Sequence, residues 1–209
     1  MAQTRAEQNA ERSRATRRRI MDRARIVFEG RGYGAVSIAD IVEAAGVARG
    51  TFYVHFDSKS EVFLAVVADV RQRLVDSQMR TAPVSTTLGA AVRTAIESYL
   101  GTFREVARMI TLTEEVSLGN PLVREAWMQT RSALLGNTAH ALERMRERGA
   151  ASFAGSADTM AVAVGGMVER MGVLRYVHGF EFSDDEFFTV LTEAYLNAAG
   201  IDAAAPVAD

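Results

Sequence analysis

Arg49, Thr51, Tyr53, Val54, His55 and Lys59 fall within one stretch of eleven residues. Their types suit one kind of partner. An arginine fork fits the O6 and N7 edge of guanine, and the methyl groups of threonine and valine meet a base edge or a thymine methyl. Tyrosine, histidine and lysine donate to phosphate oxygens, and a histidine need not be charged to do so. Gly50 permits close backbone approach. Ser37, at the start of a helix, adds a phosphate contact supported by the helix dipole. A surface bearing Tyr, Val and His together calls for a cover. Duplex DNA would use all of them. The alternative for Tyr53 and His55 is packing on the first or fourth helix, and for Lys59 a solvated position beside a helix cap.

The elements around these residues are set up to position them. Ile20, Ala24, Val27 and Phe28 lie at i, i+4, i+7 and i+8, the inner face of a first helix starting near Ala15. The Gly30-Arg-Gly-Tyr-Gly34 segment ends it. Ser37 caps a second helix, with Asp40 in the capping-box position, and Ile38, Ile41, Val42 and Ala45 form its core stripe. Gly46 is the C-cap. Val47, Phe52 and Phe56 are the inward positions of a third helix, which leaves Arg49, Gly50, Thr51, Tyr53, Val54 and His55 outside or at the edge. Ser58-Lys-Ser-Glu61 is a capping box opening a fourth helix that runs to about Arg80, ahead of Pro83. Two short helices joined by a tight glycine turn read as a helix-turn-helix.

Residues 20–65 resemble the DNA-binding domain of the tetracycline-repressor (TetR) family. The resemblance is carried by Ala24-Arg-Ile-Val-Phe28, Gly32-Tyr33, Ser37-Ile-Ala-Asp-Ile-Val42, Ala45-Gly-Val47, Gly50-Thr-Phe-Tyr-Val-His-Phe56 and Ser58-Lys59. It implies that Arg49, Gly50, Thr51 and Val54 face bases, while Ser37, Tyr53, His55 and Lys59 hold phosphates. It also implies a helical C-terminal domain that binds a ligand and dimerises. One departure is an N-terminal segment richer in arginine than the family's minimal start: Arg5, Arg12, Arg14, Arg17, Arg18 and Arg19. Residues 1–14 read as a flexible arm that either reaches a minor groove or the backbone, or stays solvated.

Composition narrows the remaining choices. Net charge is −2, yet residues 1–60 hold 11 basic against 7 acidic side chains, leaving 13 against 19 in the rest. A cationic module on an acidic body fits contact with a polyanion at one end. There is no cysteine, hence no disulfide or thiolate chemistry. With three histidines, no Gly-rich phosphate loop and no nucleophile elbow, no catalytic constellation, metal site or cofactor motif is recognisable. The polar N-terminus and the lack of a long apolar run lead us to expect a cytoplasmic protein without membrane association.

The spacing beyond residue 80 predicts helices over about 86–106, 107–118, 121–148, 157–178 and 184–199, giving an all-α chain of about nine helices. The expected organisation is an arm (1–14), a three-helix DNA-binding domain (15–57), a ligand-binding and dimerisation domain (58–200) and a flexible tail (201–209). Tyr99, Phe103, Met109, Trp127, Met128, Met145, Met167, Met171 and Tyr176 are candidate pocket residues, because aromatic and methionine side chains accommodate apolar ligands. They are equally candidates for ordinary core. Gly165, Gly166 and Gly172 on one late helix, and Phe187, Val190, Leu191, Ala194 and Tyr195 on the last, are candidates for a homodimer interface. The alternative is that these stripes close the chain's own core. The expected function is a sequence-specific transcriptional regulator, a repressor released from operator DNA by a small lipophilic effector. An architectural or partner-controlled DNA-binding protein, with a solidly packed C-terminal core, is the alternative.

Overall fold

The computed structural model describes residues 5–79 and 87–207, and among them every regular element is a helix. The order is α1 (Arg5–Ala35), α2 (Ile38–Ala45), α3 (Arg49–His55), α4 (Lys59–Met79), α5 (Leu88–Ser117), α6 (Pro121–Glu147), α7 (Ala157–Tyr176) and α8 (Asp184–Ala198). These are eight helices among the described residues, where about nine were expected. The two anticipated segments 86–106 and 107–118 meet in the single helix α5, because residues 102–117 contain neither glycine nor proline to break it.

Two compact units divide the chain. One comprises residues 1–70 and 108–127, the other 71–107 and 128–209, so α4, α5 and α6 contribute to both. The first part of α4 therefore belongs with the helix-turn-helix, beyond the boundary expected after residue 57.

In the first unit, Ile20, Ala24, Phe28, Ile41, Phe52, Phe56 and Phe63 are buried. Phe28 and Phe63 meet edge to face at 5.1 Å, and Tyr33 lies 4.8 Å from Phe63. Helix α1 begins ten residues earlier than expected. Residues 5–14 are helical and exposed, so this segment is not an unstructured arm; Ala, Glu, Gln and Arg are strong helix formers and sustain the helix without burying anything. Residues 1–4 lie outside the described part. Within the expected glycine turn only Gly32 leaves helical geometry, at φ 76° and ψ 157°.

The second unit is centred on Leu74, Leu100, Phe103, Leu142, Val164 and Phe187. The α7 backbone comes so close to α5 that a methyl group at Gly172 would sit 2.9 Å from the Leu100 side chain. Described residues 201–207 depart from the flexible tail that was expected. Ile201 is buried, the amides of Leu88 and Gly89 donate to the carbonyls of Ala205 and Ala203 at 2.8 and 3.0 Å, and Asp202 donates to Ala150. Backbone hydrogen bonds, which composition does not reveal, hold this segment.

Candidate nucleic-acid interface and ligand cavity

Helix α2 is held in place at both ends. The Ser37 hydroxyl accepts from the Asp40 amide at 3.2 Å and donates to the Asp40 carboxylate at 2.6 Å, while the Ser37 amide donates to that carboxylate at 2.7 Å. Arg31 pairs with Asp40 at 2.6 Å. These hydrogen bonds, Ser37's foremost, hold the Asp40 carboxyl well below the usual carboxylate range. Gly46 closes the helix at φ 60°. The Ser37 side chain is thus engaged in the cap of α2 on an exposed residue.

Helix α3 is anchored by Phe52 and Phe56, 0% and 1% exposed. Val47, expected to be a third inward anchor, is only half-buried. Opposite the anchors, Val54 is 77% exposed and Tyr53 44%. Arg49 is exposed one turn before Tyr53, its guanidinium 5.8 Å from the ring centre and donating to the hydroxyl at 3.4 Å. A methyl group at Gly50 would meet nothing within 4 Å, so internal packing does not explain the glycine. Thr51 and His55 are half-buried at the margins. Arg49, Gly50, Tyr53 and Val54 thus form one outward face, with Thr51 and His55 at its edge. Lys59 has a different immediate partner: its ammonium donates to the Tyr33 carbonyl at 2.8 Å and lies 4.4 Å from that ring's centre. Two of its three donors remain. Sequence reasoning missed Tyr33 in this role, and also Arg17, whose guanidinium covers the Phe56 ring at 4.5 Å.

The second unit contains a cavity of about 310 Å³. Gln78 of α4 lines it, with Ala91, Val92, Ala95, Ile96 and Tyr99 of α5 and Arg131, Leu134, Leu135, Asn137, Thr138, Ala141 and Met145 of α6. Gly165, Val168 and Glu169 of α7 and Tyr195 of α8 complete the wall. Arg131 and Glu169 form an ion pair in it. Asn137 donates to Gln78 at 3.1 Å, and Gln78 to the Leu134 carbonyl at 3.3 Å. Burial raises the Tyr99 phenol above its ordinary range, with the Glu169 charge adding and Arg131 opposing. Burial alone pushes Tyr195 up to about 12. Both phenols stay protonated at neutral pH and can donate.

Of the nine residues expected around a pocket, Tyr99 and Met145 line this cavity. Phe103 is buried beside it, its ring tilted against that of Tyr99 with centres 5.8 Å apart. Met109 and Trp127 are buried in the first unit, Met128 is exposed, Met167 and Met171 are half-buried, and Tyr176 borders an open surface depression with Phe180 and Phe182. Large side chains fill space; here small ones leave it. The recurrent alanines Ala91, Ala95 and Ala141 were the available signal.

The expected dimer residues also divide. Phe187 and Leu191 are 2% exposed and belong to the chain's own core, as does Gly172. Gly165 and Tyr195 line the cavity. Val190 is 55% exposed, while Gly166 and Ala194 are half-buried; these three stay toward the outside, together with Val162. On α8, Phe187 and Leu191 turn inward and close the chain's own core, while Val190 lies exposed at the other edge of the stripe.

Among the described residues there is no cluster of side chains suited to a metal ion, and no helix long and apolar enough to cross a membrane.

Residues 20–66 match the family model described as bacterial regulatory proteins, tetR family, and residues 92–199 match that of the transcriptional regulator EthR, C-terminal domain. The chain belongs to the TetR family of transcriptional regulators. Among TetR-family relatives, the transcriptional regulator EthR of Mycolicibacterium smegmatis is 27% identical over 154 residues, covering 72% of this chain and 70% of that protein. TtgR of Pseudomonas putida is 37% identical over 62 residues, 30% of each chain. A TetR-family regulator structure from Syntrophomonas wolfei has the same fold, with a TM-score of 0.74 and 16% identity over 90% of this chain and 96% of that one. The TetR-family model covers α2, α3 and most of the buried phenylalanines that orient them. The chain is a DNA-binding, helix-turn-helix transcriptional regulator.

Proposed function

We propose that this regulator is a homodimeric repressor whose DNA affinity is set by a small, largely apolar effector. The observation carrying this reading is the cavity of about 310 Å³ in the second unit, walled mainly by Ala, Val, Ile, Leu and Tyr side chains. A volume of this order suits a small organic molecule. A solidly packed core, which an architectural or partner-controlled protein predicts, would leave no such space. The hydroxyls of Tyr99 and Tyr195, with the Arg131–Glu169 pair, offer a few polar anchors in an apolar wall.

On the DNA side, Arg49, Gly50, Thr51 and Val54 meet base edges in the major groove, and Tyr53 and His55 hold phosphates. Lys59 supports the segment through Tyr33 and has donors left for the backbone. Two chains related by a two-fold axis would present two such helices to a pseudo-palindrome, with Val162, Gly166, Val190 and Ala194 on the outer sides of α7 and α8. Effector binding acts by favouring a state with lower DNA affinity, through helices α4, α5 and α6 that contribute to both units.

The test fills the cavity. Ala95→Trp and Ala141→Phe each occupy it from a different helix. A panel of neutral alkyl and aryl compounds is screened for release of the wild-type protein from a duplex it has selected out of a random pool. Compounds that release the wild type should not release the filled variants, which should keep their DNA affinity. Release that persists in both variants would remove the cavity from the mechanism, and a panel without any releasing compound would favour the effector-free alternative.

A further inference from the structure

We infer that the N-terminal half of α1 is a second DNA-contacting surface, a rigid row of arginines that lies along the sugar–phosphate backbone beside the helix-turn-helix. The inference builds on the chain's DNA-binding role.

Helix α1 runs 31 residues from Arg5, but its burial begins only at Ile20. Residues 5–15 are exposed throughout and cover no core, so packing does not account for them. The arginines of α1 as far as Arg25 fall into two groups. Arg17 lies over the Phe56 ring and donates to the Met21 sulfur at 3.1 Å. Arg18 pairs with Asp22 at 3.2 Å and Asp69 at 2.5 Å, and Arg25 with Glu29 at 3.4 Å. In contrast, Arg5, Arg12, Arg14, Arg19 and Arg23 are exposed and have no ion pair among the described residues, and all of these except Arg14 share one face of the helix. The spacings of those four, at seven, seven and four residues, place them within an arc of about 40° on a helix of 3.6 residues per turn.

The row spans roughly 27 Å at 1.5 Å per residue. One heptad beyond Arg19 and Arg23 stand Ile26 and Gly30, which line a shallow groove with Asp40, Glu43 and Ala44 of α2. The arginine row therefore continues the side of α1 on which α2 sits. Arg17 over Phe56 also brings α1 alongside the end of α3. Like charges at heptad spacing on one helix face repel one another, and a polyanion turns that arrangement into attraction. Because the row is built on a helix continuous with the buried part of α1, it meets the backbone without first ordering a flexible arm. Arg14 lies about half a turn from the row and serves as the internal control.

The experiment uses the full chain and a duplex that the wild type enriches from a random-sequence pool, alongside a scrambled duplex of the same length. Binding is followed by fluorescence anisotropy between about 50 and 200 mM salt for wild type, Arg5→Gln/Arg12→Gln/Arg19→Gln and Arg14→Gln. The triple variant should lower the slope of log affinity against log salt by about 2–3 per bound chain. The affinity the wild type loses across that salt range should then shrink by roughly 40-fold in the variant. Both duplexes should be affected alike, since backbone contacts do not read bases. Arg14→Gln should stay within about twofold of wild type, and circular dichroism should show the helix content and melting of all three to be comparable. A triple variant with the wild-type slope overturns the inference, as does an equal effect of Arg14→Gln or a loss confined to the enriched duplex. If the wild type enriches no duplex, the DNA-binding role itself falls, a result distinct from an unchanged slope.

Discussion

Removing one charge from the cavity wall gives a measurable test of how its polar corner is built. Glu169 pairs with Arg131 between α7 and α6, and their side chains are 14% and 25% exposed. Both residues have further interactions as well. Breaking a fully buried pair from one side costs about 3–5 kcal/mol, since the surviving charge is left uncompensated. Solvent reaches a quarter of Arg131, which reduces the expected cost of Glu169→Leu to about 2–3 kcal/mol. For a protein of 209 residues this corresponds to a fall in melting temperature of roughly 4–12 °C. Arg131→Met should cost a similar amount. In the double variant Arg131→Met/Glu169→Leu no charge is stranded, so it should be more stable than either single variant. Urea unfolding followed by circular dichroism measures all four proteins. Single variants within about 0.5 kcal/mol of wild type, or a double variant whose loss is the sum of the two, would refute a coupled, desolvated pair.

Two further predictions address the elements around the sites. Gly200 has φ +53°, and a methyl group there would collide with the Ser152 carbonyl oxygen, so Gly200→Ala should cost at least about 2 kcal/mol. It should also accelerate amide exchange at Leu88 and Gly89, whose hydrogen bonds go to the segment after Gly200; unchanged exchange would mean that segment is held some other way. Asp40→Asn should lower the melting temperature at neutral pH. Because the Asp40 carboxyl is held low by Ser37 and Arg31, its stabilisation is present above the ordinary carboxylate value of about 4 and drains away as pH falls below it. The gap between variant and wild type should therefore close on acidification, and a gap that stays constant would assign the effect to something other than the charge.

The helix-turn-helix was legible because its signals are local. Ser37, Asp40 and Gly46 mark helix ends through their own backbone hydrogen bonds, and Phe52 and Phe56 declare an inner face by spacing alone. Partner choice was less legible. Ser37 and Lys59 are polar residues at the right positions, but the structure commits one to Asp40 and brings the other onto Tyr33. The cavity was hidden for a related reason. A space is defined by side chains that are too small to fill it, and Ala91, Ala95 and Ala141 look unremarkable in a sequence where methionines and aromatics draw notice. On α8, the stripe of Phe187 and Leu191 announced that one face is covered without saying by what. The helical start of α1 and the pinned segment after Gly200 depend on propensity without apolar periodicity and on backbone hydrogen bonding, neither of which leaves a pattern of side chains.

We propose that the outer face of α3 reads bases, with Arg49 supplying discrimination. Selection from a random-sequence duplex pool by wild type and by Arg49→Ala, with the enriched motifs compared, tests this most directly. The variant's motif should lose its preference at one position in each half-site while the rest is retained, at a cost of about 1–3 kcal/mol for the preferred base. An unchanged motif bound uniformly more weakly would contradict it and return Arg49 to the phosphate backbone.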